Sequence, residues 1–367
     1  MKKFSVLSAI GIALFMLVFF SRCINPDNAV DVDANYKEPF KKLSQYHFFK
    51  GDLKQLTPND RVLAYNLITP LFSDYALKAR FVWMPEGTSA KYVKDEVLDF
   101  PVGTVLIKNF YYPYDFRDES KGRRIIETRL LIHKQDKWDA LTYVWNADQT
   151  DADLNIIGDT KSLDWVDKNG NKVHDEYSVP NKNQCKTCHS YNGAFTPIGP
   201  KVRNMNHEFL YGDGKQNQLD KWVAAGYLAG YNKADNIHNK MAKWDDSTTG
   251  DINARARAYL DANCAHCHRK EGMANPSGLY LTYANQDAGS LGMFKTPEAA
   301  GGGGGDFLYD IIPGKPDESI MPHRMMIDEP GKMMPQIGRK LVHTEGVALI
   351  KQWIAGMKDQ PAALNKK

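Results

Sequence analysis

The chain has 367 residues, 43% hydrophobic and 25% charged, which excludes intrinsic disorder and collagen-like structure and leaves apolar mass for two or three buried cores. Three of the 47 basic residues (Lys2, Lys3 and Arg22) lie in an N-terminal leader, and the remaining 44 balance 44 acidic ones. A nucleic-acid footprint therefore has no support in net charge.

Residues 1–23 read as an export signal, with Lys2 and Lys3 ahead of an uncharged apolar run from Phe4 to Phe20. The run is near the minimum length for a membrane span, so an uncleaved anchor is the alternative. Cys23 stands where a lipoprotein leader places its acylated cysteine, although Arg22 departs from the small residue that normally precedes it. The expectation is a periplasmic or otherwise exported protein, with a membrane tether through Cys23 or the N-terminal segment as an option.

Residues 36–180 alternate apolar and polar positions and predict a mostly-β, sandwich-like domain. Strands are expected over Val102–Phe110, Arg124–His133 and Trp138–Trp145, the last two joined as a hairpin across Lys134–Lys137. Asn169-Gly170 predicts a second hairpin turn. Asp167, Asn169 and Asn171 alternate as in a calcium loop, but the glycine is out of register, so only a turn is read. Phe81, Trp83, Tyr111, Tyr112 and Tyr114 are candidates for a carbohydrate or partner surface, against the commoner role of core aromatics.

Four of the five cysteines fall in two C-x-x-C-H pentads, Cys185-Lys-Thr-Cys188-His189 and Cys264-Ala-His-Cys267-His268. Two thiols at i and i+3 lie on one face of a helical turn, where each can add to a haem vinyl group. The following histidine then reaches the iron from the same turn. A redox disulfide is disfavoured because neither pentad sits in a strand-to-helix pattern. A shared zinc ribbon is disfavoured because the stretch from Cys188 to Cys264 is several times longer than a ribbon's loop of roughly 15–20 residues. Two covalently bound haems c are expected, with His189 and His268 as iron ligands.

The first motif opens a haem segment over 181–245, with a helix near Gln216–Leu228. Its distal ligand is open: His207 or Met205 are nearest in sequence, with Met241 and His238 behind them. The second motif belongs to a segment over 246–360. A helix is expected at Ile252–Ala262 and another at Thr344–Met357. Between them Lys332-Met-Met-Pro-Gln-Ile-Gly338 presents Met334 on a stiff, proline-held segment as the distal ligand, ahead of Met333, Met321, Met325 and Met326. The opposing reading is that these methionines fill gaps in the packing. Gly301–Gly305 reads as a flexible insertion.

The second segment, with Ile312–Ser319, Met334–Gly338 and the helix from Val342 to Trp353, resembles a class I cytochrome c module. Pro70–Lys78, Phe100–Thr104, Tyr143–Trp145, Asn183–His189 and Pro197–Lys201 resemble an exported bacterial dihaem c-type cytochrome family over nearly all of the mature chain. That resemblance implies periplasmic electron transfer between redox partners, with Met334 as a distal ligand. The fold class expected is α+β and multidomain, the β domain being followed by α-helical cytochrome c-type haem domains. The function expected is one-electron transfer. The alternatives are a peroxidase-like or small-molecule oxidising dihaem enzyme with an open distal face at the first haem, and a β domain that serves as a docking module.

Overall fold

A computed structural model of the chain describes residues 29–299 and 301–358. The leader and Cys23 lie outside them. Among the described residues, no helix is long and apolar enough to cross a membrane.

The dominant element is a six-stranded antiparallel meander: β1 (Leu63–Tyr65), β2 (Leu77–Trp83), β3 (Val105–Pro113), β4 (Arg123–His133), β5 (Trp138–Trp145) and β6 (Ala152–Leu154), paired in that order. Period-two alternation explains its burial. One face, with Phe81, Ile107, Leu130, Ile132, Tyr143 and Trp145, packs on Leu43, Tyr46, Phe48 and Phe49 of the preceding chain. The other face meets two further cores. Val82 and Leu106 pack with Met205, Leu219 and Trp222. Phe110 and Val144 pack with Leu163, Trp165 and Tyr177 of the hairpin β7 (Asp159–Val166) and β8 (Lys172–Val179). The expected strands thus form with edges shifted slightly, and the turn at 167–171 closes with the Asn169 and Asn171 amides donating to Asp167 Oδ1.

The rest of the chain corrects the expected fold class. The second half is not a pair of α-helical cytochrome c-type domains. The described residues contain six α-helices, of which α4 and α6 are the longest: α1 (Lys182–Cys188), α2 (Val202–Met205), α3 (Gln218–Ala224), α4 (Ile252–Asn263), α5 (Ile320–Met326) and α6 (Thr344–Ala355). Between α1 and α4 the chain forms two-stranded ribbons, Ser190–Tyr191 with Ala194–Phe195 and Glu208–Tyr211 with Gly214–Asn217. Leu228–Ala229 pairs in parallel with Ala90–Lys91 of the N-terminal half. The physical reason lies in the punctuation between α4 and α6. Pro276, Gly278, Gly289, Gly292, Pro297, Pro313, Gly314 and Pro316 recur too closely for a long helix, whatever the apolar content between them. Only α4 and α6 escape that density, and they pack on one another through Ala256, Leu260, Val347, Ile350 and Ile354. Gly301–Gly304 also folds, as a 3-10 turn whose Gly303 lies against Arg324 and the Lys332 carbonyl, where no side chain fits.

Candidate haem-binding site

Each motif is held by a capped helix. Asn181 caps α1 with a reciprocal box: its Oδ1 accepts from the Asn183 and Gln184 amides at 3.0 Å, and its own amide donates to Gln184 Oε1. Cys185 and Cys188 follow on the same short helix, and His189 ends it. The His189 ring stacks on Phe195 (4.9 Å, 6°), and its Nδ1 lies 2.8 Å from the Thr196 carbonyl. That carbonyl can only accept, so the proton sits on Nδ1 and Nε2 carries the free lone pair. Burial pushes the ring from the ordinary 6.5 down to about 3, with the Thr196 bond opposing it.

Asp251 caps α4 through the Ala254 amide at 2.7 Å. Cys264 terminates α4, and Cys264–His268 turns out of the helix with the His268 amide bonded to the Cys264 carbonyl at 2.9 Å. His268 Nδ1 is 3.3 Å from Ser277 Oγ, and burial takes its pKa down to about 4. Both imidazoles are therefore neutral near pH 7, the form in which a histidine ligates a metal.

Both motifs open on one cavity of about 770 Å³. All four motif cysteines, His189, His268 and Met334 line it. The two motifs meet there: the ligand atoms of Cys188, His266 and Cys267 all lie within 4.8 Å of one another. All four thiols are free. Burial raises Cys185, and Cys264 to about 12. Cys267 moves the other way, lowered chiefly by its hydrogen bond with Cys188.

The methionine loop is clamped by a buried arginine. Arg339 is 6% exposed, and its guanidinium donates to the carbonyls of Arg324, Met325, Ile327, Met334 and Leu341 at 2.7–3.4 Å. The Met334 amide donates in turn to the Arg324 carbonyl at 2.9 Å. Met333, Met321 and Met325 are buried along the same cavity, whereas Met326 is exposed.

The first-motif distal candidates stand elsewhere. Met205 is wholly buried in the core with Leu219 and Trp222. The His207 Nδ1 engages the Glu208 carbonyl, and the ring does not line the cavity. Met241 packs with Ile68 and Ala258, and His238 is exposed. None of the four reaches the cavity wall. The aromatic group also divides: Phe81 and Tyr112 are core, Trp83 and Tyr111 pack beside it, and Tyr114 is half-exposed.

Several cavity residues carry no sequence motif. His343 stacks on Phe72 (4.1 Å, 8°) with its Nδ1 3.0 Å from Tyr259 Oη. Tyr65, Arg80, Lys108, Arg129 and Thr142 form the sheet wall. Their one sequence signal is a cation inside an apolar strand, Val105-Leu-Ile-Lys108-Asn-Phe110. The Pro70–Lys78 stretch gains a physical role as the seam of the site. The Phe72 amide donates to Asn263 Oδ1, the Thr69 amide to Asn204 Oδ1, and the Lys340 and Leu341 amides both donate to Asp74 Oδ1 at 2.8 Å. The irregular segment 69–74 thus ties down both motif-bearing regions and the methionine loop.

No family model, curated protein or solved structure matches the chain. The function therefore rests on the site itself.

Do the residues fit covalent haem? Each motif brings two reduced thiols and one neutral imidazole to a single cavity, with the imidazole Nε2 unprotonated in the first. Thioether-capable methionines stand on the wall of that cavity. The donor set suits a soft, N- and S-ligated iron.

Proposed function

We propose that the chain is an exported dihaem c-type electron carrier, with one haem attached at Cys185 and Cys188 under His189 and the other at Cys264 and Cys267 under His268. The observation that carries this reading is the convergence of two complete attachment motifs on one cavity, with Cys188 and Cys267 within 4.8 Å of one another and of His266. When bound, the haems supply one-electron iron chemistry. The chain's share would be to fix the imidazole tautomer at His189 through Thr196 and to present the Met334 thioether on the Arg339-clamped loop. Motifs that touch suit electrons passed within the molecule before release to a periplasmic partner.

A second reading is an enzyme whose first haem keeps an open distal face. It is favoured by the position of His207 and Met205, neither of which lines the cavity.

The test is the haem and metal content of the full chain, exported in a host that matures c-type cytochromes, with visible spectra in both oxidation states. Two covalent haems, both low-spin and inert to cyanide, support the carrier. One high-spin, cyanide-reactive haem selects the enzyme. A haem-free protein holding zinc would overturn both and assign Cys188, His266 and Cys267 to a metal ion.

A further inference from the structure

The sheet wall of the cavity carries a row of three cations, of which the protein itself neutralises one. Tyr65 pairs with Arg80, Arg80 with Lys108, Lys108 with Arg129 and Arg129 with Thr142, so the five residues stand side by side across β1 to β5. All five line the cavity. Like charges directly opposite one another on neighbouring strands are destabilising, and more so away from water.

One of the three cations is compensated. Arg129 makes two bonds to Glu127, at 2.9 and 2.5 Å, and Tyr177 donates to the same carboxylate at 2.6 Å. Glu127 is thereby spent. Arg80 is 5% exposed; its Nη1 reaches Asn66 Oδ1 at 3.1 Å, while its Nη2 is buried with no hydrogen-bond partner. The Lys108 ammonium lies 4.7 Å from the Phe110 ring centroid and forms no ion pair among the described residues. Burial and the neighbouring Arg80 depress its pKa well below the ordinary lysine range. An orphaned guanidinium N–H and an unpaired ammonium, adjacent on the wall of a ligand-sized cavity, are a receptor for negative charge.

We propose that Arg80 and Lys108 form an anion-binding wall that takes a carboxylate group inside the cavity, the carboxylate being a propionate side group of a bound haem. The assignment rests on the haem reading above. A diffusible small carboxylic acid offers the same chemistry, and the experiment separates the two sources.

Two full-length forms are compared by thermal melting, each with and without succinate as the free carboxylate: the haem-loaded protein and a haem-free chain in which all four motif cysteines are alanine. In the haem-free chain, Lys108→Met relieves charge repulsion and raises the melting temperature. In the haem-loaded protein the same change removes a partner of the bound carboxylate, lowers the melting temperature and lowers the midpoint potential of one haem but not the other. Lys108→Arg preserves both wild-type behaviours, and Arg80→Gln repeats the sign reversal if Lys108→Met fails to fold. A stability change of the same sign in both forms, with no effect on either potential, would overturn the proposal. Stabilisation of the haem-loaded protein by succinate that is lost in Lys108→Met keeps the anion site but overturns the haem as its source. If the wild-type chain carries no haem, the functional reading fails on its own. The wall then stands or falls on whether succinate stabilises the chain in a Lys108-dependent way.

Discussion

Lys201 and Asp261 offer the sharpest test of how the two motif regions are joined. Lys201 follows the first motif and Asp261 shortly precedes the second, so their bond crosses from one motif region to the other. The ammonium lies 3.0 and 3.3 Å from the two carboxylate oxygens, with side-chain exposures of 9% and 3%. Burial alone would raise Asp261, but Lys201, Arg203 and the Tyr283 amide outweigh it and hold the carboxyl below the usual range. Lys201→Met leaves that carboxylate buried with its main partner gone, a change that typically costs ~3–5 kcal/mol. Because Arg203 and the Tyr283 amide remain, the expected loss is about 3 kcal/mol, roughly a hundredfold in the folding equilibrium. The double change Lys201→Met with Asp261→Leu, apolar on both sides, should return to within about 1 kcal/mol of the wild type. Urea denaturation at several pH values measures all three. The wild-type pair stabilises above the unfolded aspartate pKa, and that contribution is lost as pH falls through the depressed folded value. In the single variant burial is no longer outweighed and the Asp261 pKa rises. Its deficit should therefore shrink as acid protonates the carboxyl. A single-variant cost below about 1 kcal/mol, or a double variant no better than the single, would refute the claim that this pair holds the regions together.

Three further outcomes follow from the site. Met334→Ala in the haem-loaded protein should lower the midpoint potential of one haem and give it a high-spin band; an unchanged spectrum would remove Met334 as a ligand. Arg339→Lys cannot span five carbonyls with one ammonium, so it should cost about 2–3 kcal/mol and speed amide exchange over 327–338, read by hydrogen-exchange mass spectrometry. Burial raises Asp74 to about 6, a shift whose favourable contribution is present at low pH and lost as pH rises through that value. Asp74→Asn keeps an oxygen for the Lys340 and Leu341 amides and should therefore stabilise the protein above pH 6 and not at pH 4, by the same urea assay.

What could be read from the sequence was what short-range rules encode. The strand from Val105, the hairpin about Lys134–Lys137 and the helices at 252–263 and 344–355 follow from periods of two and 3.6 with ordinary caps. The two pentads are legible for the same reason, since five consecutive residues carry all of their chemistry. The helical class expected of the second half does not hold, because its two long helices make up only a small part of it and glycine and proline break the stretch between them into turns. The first distal ligand failed differently. His207 and Met205 are near His189 in sequence, but α2 buries Met205 in the sheet-backed core, and the His207 ring, engaged with the Glu208 carbonyl, does not line the cavity.

The sheet's part in the site was hidden because pairing register, which no local pattern specifies, decides which side chains meet. Arg80, Lys108 and Arg129 lie far apart in the chain and become neighbours only once β2, β3 and β4 align. Their alternation with apolar residues looks like a half-solvated strand face, and in sequence the natural reading is that water solvates them. In the fold, the hairpin core around Tyr177 and the helix core around Trp222 occupy that face on either side of the row, leaving the cavity above it. Arg129 is offset there by Glu127, whereas Arg80 and Lys108 are placed on the cavity wall without an ion pair among the described residues. This is why the same three residues say nothing about function when read singly and argue for a ligand when read across the strands.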